Sequence, residues 1–287
     1  MTAREFLTLA AERLFEKAPP EQKDRDTAAL EARLLLFRFS DITAEALPFR
    51  AKEALSEKTE SALMSALEEK CAGRPLQYIF GEWSFYGREM YCGEGCLIPR
   101  PETEILTEYV LKHMPKGGRF LDLCTGSGCI ATAILTERAD LDGVAADISE
   151  SALHYAERNR DRYGLAERLK LVCADVHTYV PDGLFDCILS NPPYIRHDDM
   201  AKLSHEVKRE PSLALDGGED GLHFYRVIID RFRSFLAPNG FFAFEAGIDT
   251  ARAVEKMLEA NGFDAHRTAD YDGVMRFIIG KRRDETT

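Results

Sequence analysis

The sequence predicts an α/β protein: a mostly parallel, doubly wound sheet of seven strands with an antiparallel edge hairpin, and a small N-terminal helical domain joined to it by a β-hairpin linker. Three observations carry this. From Arg119 onward, short β-favouring runs alternate with amphipathic helical runs, which implies parallel strands joined by crossovers on both faces. Ahead of residue 72, apolar positions recur at three- and four-residue spacing. A chain of 287 residues with 45% hydrophobic content can bury one large core or two unequal ones.

In the first part, Phe6, Leu9, Ala10 and Leu14, then Leu30, Leu34, Leu35 and Phe37, mark helix faces. Pro19-Pro20 separates the first two helices, and Asp41 with Glu45 reads as a capping pair for a short third. Gly73-Arg74-Pro75 breaks the pattern, so residues 1–73 form the helical domain. Residues 74–98 form the linker. Trp83, Phe85, Tyr86, Met90 and Tyr91 favour β-structure and Gly87 sits at a turn, so residues 76–96 read as a hairpin. Two prolines in Pro99-Arg100-Pro101 stiffen the chain before a helix over 102–113.

Within the third region, 99–287, the expected order is strand 119–124, helix 128–137, strand 142–146, helix 149–162, strand 169–174 and strand 185–190. A long polar loop follows, then helix 221–236, strand 240–246, helix 249–260 and strands near 263–268 and 274–280. The last two lack an intervening helix, so they pair as an antiparallel hairpin through Asp272-Gly273.

The net charge of −12 argues against a broad nucleic-acid-binding face, because phosphate neutralisation needs clustered Lys and Arg, and Lys281-Arg282-Arg283 is the one basic triple. No apolar run is long enough to span a membrane, and the first residues lack the apolar core of a signal peptide. A cytoplasmic protein is expected. The seven cysteines, at 71, 92, 96, 124, 129, 173 and 187, form no C-x-x-C pair and read as reduced, buried thiols. Cys92 and Cys96 have the start of a metal-ligand spacing, but no second pair completes it, and no metal is expected.

The segment Asp122, Leu123, Cys124, Thr125, Gly126, Ser127, Gly128 joins the first strand of the sheet to its helix. Glycines there let backbone approach a ligand while helix-end N–H groups face it. Gly126-x-Gly128-x-x-Ala131 also satisfies the dinucleotide fingerprint, so an NAD-binding reading stays open at this point. Asp147 closes the second strand, nineteen residues after Gly128, where a carboxylate accepts ribose hydroxyls. Asp175 closes the third, where it and Val176 would flank an adenine. Either Asp also reads as a helix N-cap.

After the apolar run 185–190 comes Asn191-Pro192-Pro193-Tyr194. It offers a side-chain carbonyl, main-chain carbonyls beside prolines that have no competing N–H, and a flat ring, on stiffened backbone. Such a corner cradles a planar NH₂ group. If the Asn191 carbonyl and the Pro192 main-chain carbonyl each take one N–H while Tyr194 packs on the amide, the nitrogen is held for attack on an electrophile. An ordinary Asn-Pro turn ending a strand has the same sequence, but the carboxyl end of a parallel strand is where open α/β sheets bind ligands.

These segments resemble the Class I S-adenosylmethionine-dependent methyltransferases and, more narrowly, the PrmC/HemK protein-(glutamine-N5) methyltransferases of peptide chain release factors. The resemblance runs from the helical domain to about Gly280. It rests on Gly81-Glu82-Trp83-Ser84-Phe85-Tyr86-Gly87, Ile98-Pro99-Arg100-Pro101-Glu102-Thr103, the loop 122–128, Asn191 to Tyr194, and Ala214-Leu215-Asp216-Gly217-Gly218-Glu219-Asp220-Gly221. It implies S-adenosylmethionine on Asp122, the loop 124–128, Asp147, Asp175, Val176 and Asn191, with S-adenosylhomocysteine as product. It implies a Gly-Gly-Gln glutamine on Asn191, Pro192, Pro193 and Tyr194, with Arg100 and Glu102 on the substrate side. The loop 195–219 becomes a wall of the substrate cleft. One departure is Cys124, where many methyltransferases carry the loop's first glycine; an extended Cys124 is expected, with Gly126 and Gly128 making the turn. A glutamine methyltransferase of a ribosomal protein shares nearly every motif, and an adenine N6 or guanine N2 methyltransferase shares the acceptor logic. A SAM-binding protein without activity is the non-enzymatic alternative.

Overall fold

The computed structural model describes residues 1–283. The chain divides into two compact units: residues 1–81 with the short segment 204–209, and the remainder. Among the described residues, no helix is long and apolar enough to cross a membrane.

The first unit consists of α1 (Ala3–Lys17), α2 (Arg25–Phe39), α3 (Leu47–Arg50), α4 (Glu57–Cys71) and α5 (Leu76–Phe80). Its core gathers Phe6, Ala10, Leu14, Leu35, Leu36, Leu63 and Leu67; of the positions that the helical periodicity marks, Leu30 is instead exposed. Thr2 and Glu5 form a capping box at α1, Asp24 caps α2 and Ser56 caps α4. Asp41 does not cap a helix. α3 starts after Ala46, and the Asp41 carboxylate instead takes a hydrogen bond from Arg50. A second correction concerns residues 76–80, expected in the hairpin but folded as α5. Pro75 starts the turn, Gly81 at φ 73° ends it, and Ile79 and Phe80 pack with Leu76 on the helical core. Tertiary burial overrides the β-propensity of those side chains.

The second unit opens with a hairpin, β1 (Glu82–Phe85) and β2 (Arg88–Tyr91). Its two-residue turn puts both Tyr86 (φ 50°) and Gly87 (φ 68°) in the left-handed region, as a type I′ turn requires. Then come α6 (Thr103–His113), β3 (Arg119–Leu123), α7 (Cys129–Glu137), β4 (Asp142–Asp147), α8 (Glu150–Arg162), β5 (Leu169–Cys173), β6 (Phe185–Ser190), α9 (His223–Phe232), β7 (Leu236–Glu245), α10 (Ala251–Ala260), β8 (Phe263–Ala269) and β9 (Met275–Arg282). The seven-stranded sheet has the order β5-β4-β3-β6-β7-β9-β8. β3 to β7 are parallel, and β9 lies antiparallel between β7 and β8. Alternate residues of the central strands feed two cores. Phe120, Cys187 and Leu189 meet α6 and α7 on one face, and Leu121, Ile188 and Phe242 meet α9 and α10 on the other. Chain order reverses between β3 and β6, so their carboxyl ends flank the crevice where such sheets bind ligands.

The long loop after β6 is not irregular throughout. It carries short 3₁₀ turns at His197–Lys202, Val207–Arg209 and Ser212–Ala214, and Ile195 pairs with Asp216. All seven cysteines are free thiols; Cys92, Cys96, Cys129 and Cys187 are buried as expected, but Cys71 and Cys124 are half-buried and Cys173 is exposed at the end of edge strand β5.

Candidate active site

A single cavity runs along the carboxyl ends of β3, β4, β5 and β6, lined by residues from Cys96 to Arg100, Cys124 to Ser127, Asp147 to Ser149 and Asp175 to His177, and by Thr103, Asn191, Pro193 and Phe224.

The loop after β3 turns by three left-handed residues, Cys124 (φ 58°), Gly126 (φ 58°) and Gly128 (φ 70°). Cys124 is therefore not extended as expected. The chain must turn there for the Thr125 N–H to reach the Ala146 carbonyl at the end of β4, 3.1 Å away, and a side chain in that conformation costs about 1–2 kcal/mol. Gly128 is needed twice over: besides its φ, a Cβ there would stand 3.0 Å from Ala156 Cβ on α8. Asp122 is buried behind the loop rather than on the cavity wall, and its Oδ2 accepts the Thr125 hydroxyl at 2.5 Å. Burial pushes the Asp122 carboxyl up to about 7.

Asp147 lies on the wall. Its Oδ2 accepts the Gly126 N–H at 2.8 Å and its Oδ1 the Ser149 N–H at 2.9 Å, so one carboxylate ties β4 to the glycine loop. Burial raises its carboxyl above the usual range against those two donors. Asp175 Oδ1 accepts the His177 N–H at 2.8 Å and stands 2.5 Å from its Nδ1. These bonds to His177 hold the carboxyl below the usual range. His177 Nε2 in turn meets His223 Nε2 at 2.7 Å, and Val176 is buried beside them.

Ser190 donates its hydroxyl to the Leu123 carbonyl at 2.6 Å, which locks the end of β6 to the end of β3. Asn191 follows, on the same cavity as the glycine loop. Its Nδ2 donates to Thr103 Oγ1 at 3.4 Å, and the Thr103 hydroxyl donates to Glu245 Oε2 at 2.6 Å. Glu245 is fully buried, and burial pushes its carboxyl up to about 7. Pro193 lines the cavity, whereas Pro192, which is buried, and Tyr194, expected on the substrate side, do not. The Tyr194 ring packs toward Gly247, where a Cβ would come within 3.2 Å of it. Gly217 and Gly221 press on the Pro193-Tyr194 backbone so closely that a Cβ at either would lie within 2.7 Å of it. The glycines of the 214–221 motif thus brace the corner.

Of the residues expected on the substrate side, Arg100 is on the wall, ion-paired with buried Glu210, which also accepts the Ile98 N–H at 3.0 Å. Glu102 precedes α6 without a capping bond and does not line the cavity.

Three residues with structural roles at the site, Glu245, Glu210 and Asn159, have no place in the sequence reading, and Thr103 enters it only as the last residue of the 98–103 motif. Asn159 Nδ2 donates to the Ser127 carbonyl at 2.9 Å and to the Tyr91 carbonyl at 3.0 Å, joining β2 to the glycine loop. Its signal was present, since it continues the buried Ala152, Ala156 face of α8. Glu245 also left a trace, as an acid ending the apolar run Phe241-Phe242-Ala243-Phe244.

Residues 7–81 match the model of the PrmC N-terminal domain, and residues 101–218 that of the methyltransferase small domain. The chain is 40% identical over 233 residues to the release factor glutamine methyltransferase of Thermodesulfovibrio yellowstonii, covering 79% of this chain and 83% of that one. It is also 40% identical to the enzyme of that name from Cereibacter sphaeroides, over 89% of this chain and 92% of the relative. The fold matches the crystal structure of a methyltransferase from Pyrococcus furiosus with a TM-score of 0.52 at 15% identity, over 79% of this chain and 99% of that one.

Proposed function

Given that the chain belongs to the release factor glutamine methyltransferases, we propose that it transfers a methyl group from S-adenosylmethionine to the side-chain amide nitrogen, N5, of the glutamine in the Gly-Gly-Gln motif of peptide chain release factors. The observation that carries this reading is the Asn191 corner standing beside the glycine loop on one cavity at the switch point of the sheet.

The residues present fit the cofactor. Asp147 faces the cavity with a carboxylate suited to ribose hydroxyls, and Val176 and Phe224 offer apolar flanks for a purine beside Asp175. Thr125, Gly126 and Ser127 bring backbone to the wall without bulky side chains, with Cys124 and Gly128 making the turns on either side. When bound, the cofactor supplies an electrophilic methyl group on a sulfonium. A carboxamide nitrogen is a poor nucleophile because its lone pair is shared with the carbonyl, so this chain's work is orientation. The Asn191 side-chain oxygen and the Pro192 main-chain carbonyl each accept one N–H of the glutamine, and Tyr194 closes the corner behind them. Positioning of this kind contributes up to roughly 7–11 kcal/mol. Asn191 also borders the cofactor side, and Arg100 and Glu102 belong to the substrate side, Arg100 held in place by Glu210.

In this reading the helical unit, residues 1–81, recognises the factor, the hairpin and the segment up to residue 98 link it to the sheet, and 99–287 carry the methyltransferase, of which 284–287 lie outside the described residues. The enzyme works in the cytoplasm on a protein partner, without a membrane or direct nucleic-acid contact, in keeping with its net charge of −12. The test is incubation with labelled S-adenosylmethionine and purified release factors, wild type and with the Gly-Gly-Gln glutamine replaced. Mass spectrometry should place the label on that glutamine alone; label elsewhere, or none, refutes the assignment.

A further inference from the structure

We propose that Thr103 and Glu245 are positioning residues that fix which way round the Asn191 side-chain amide sits, and so switch the acceptor corner on. The inference rests on the role given to Asn191 above. An asparagine head has two faces of opposite character, an accepting oxygen and a donating NH₂, exchanged by a half-turn of the amide. Only the orientation with the oxygen toward the cavity can accept an N–H from a glutamine; the other sets donor against donor.

Thr103 makes the choice. Its hydroxyl has one proton, and Glu245 Oε2 at 2.6 Å takes it. Toward Asn191 it therefore presents lone pairs alone, which pair with the NH₂ at 3.4 Å and with nothing else on that side chain. The Asn191 oxygen is left facing away from Thr103. This holds while Glu245 is ionised. A protonated Glu245 donates to Thr103 instead, the threonine proton becomes free to turn to Asn191, and the amide can settle with its NH₂ toward the acceptor.

The surroundings set where that exchange happens. Burial raises the Glu245 carboxyl to about 7, opposed by the Thr103 bond and by Arg276 on β9, with Glu102 raising it further and Arg100 lowering it. Tyr225 on α9 donates to the Glu245 main-chain carbonyl at 2.7 Å, and Tyr194 lies on the same side with its hydroxyl pushed up to about 12, so both phenols remain neutral. A carboxyl raised in this way keeps its proton below about 7 and loses it above, so kcat rises with pH through that region.

The experiment measures kcat, KM for the release factor and cofactor affinity by calorimetry for the full chain and for Thr103→Val, Thr103→Ser, Glu245→Gln and Asn191→Ala. Thr103→Val should lower kcat about tenfold, the equivalent of one hydrogen bond, with cofactor affinity nearly unchanged, and Thr103→Ser should restore it. Glu245→Gln cannot ionise and should lose the step in kcat near pH 7. The orientation device is refuted by a Thr103→Val enzyme at the wild-type kcat, or by a Glu245→Gln enzyme that keeps the step. The second of these decides the matter if Thr103→Val fails to fold. An active Asn191→Ala enzyme would instead remove the role of Asn191 itself, whereas an inactive one beside a normal Thr103→Val removes the device alone.

Discussion

The two corners that meet at the switch point are built on opposite principles. The turn after β3 depends on left-handed backbone, with Cys124, Gly126 and Gly128 presenting main chain to the cavity. The turn after β6 depends on prolines, with Pro192 and Pro193 holding Asn191 and Tyr194 on a chain that has few conformations to lose. Each is backed by a buried carboxylate that accepts a threonine hydroxyl, Asp122 from Thr125 and Glu245 from Thr103. The difference is where each relay ends. Thr125 is part of the loop, so its bond shapes backbone; Thr103 passes the constraint to the Asn191 side chain. A site that grips a cofactor can use backbone shape, whereas one that must orient a reacting nitrogen needs a side chain with a defined face.

The sharpest way to break this division is to truncate one side chain from each corner. Asn191→Ala should lower kcat by about 100-fold or more, the scale of a lost reactive alignment, and leave cofactor affinity nearly intact. Asp147→Ala should do the reverse, weakening cofactor binding by about tenfold or more, because the carboxylate also secures Gly126 at 2.8 Å. Calorimetry beside steady-state kinetics reads both. If both variants lose kcat and affinity together, the corners do not divide the work.

Asp122 sharpens the comparison through stability. Its carboxyl is raised from 3.8 to about 7, so between those values the folded protein holds a proton that the unfolded chain has released. The resulting stabilisation is complete below about 3.8 and is lost as pH rises through about 7. Asp122→Asn has no such proton. The stability of the wild type relative to this variant should fall by on the order of 4 kcal/mol across that window, read from urea midpoints at several pH values. A gap that stays constant with pH would mean that Asp122 is ionised in the folded protein throughout.

How far the sequence reveals this arrangement follows from the range of the forces involved. The sheet and its crossovers are legible because period and turn chemistry are local, and so is the stiff turn that ends β6, since Asn191, the prolines and Tyr194 are neighbours in the chain. The place of Asp147 on the cavity wall is legible from its position at a strand end. The pairing of Glu245 with Thr103 is not, although each stands in a local pattern, because it is a contact across 142 residues. The helical turn at Leu76–Phe80 was misread for a related reason: its side chains favour strands, and only packing on the helical core decides otherwise.

Cys124 was misread differently, by a local rule that a tertiary constraint overrides, and it supports the smallest prediction. A left-handed Cys124 costs about 1–2 kcal/mol, which glycine would relieve. Against this stand roughly 0.5–1 kcal/mol of extra backbone entropy lost on folding and the packing of the side chain against the core that includes Leu121 and Leu123. Cys124→Gly should therefore lie within about 1 kcal/mol of the wild type, whereas the β-branched Cys124→Val, which tolerates positive φ poorly, should be the less stable of the two. The thermal midpoints of the pair measure this directly. If valine is as stable as glycine, the loop can turn without a left-handed residue at 124, and the backbone-built corner is less constrained than its proline-built neighbour requires.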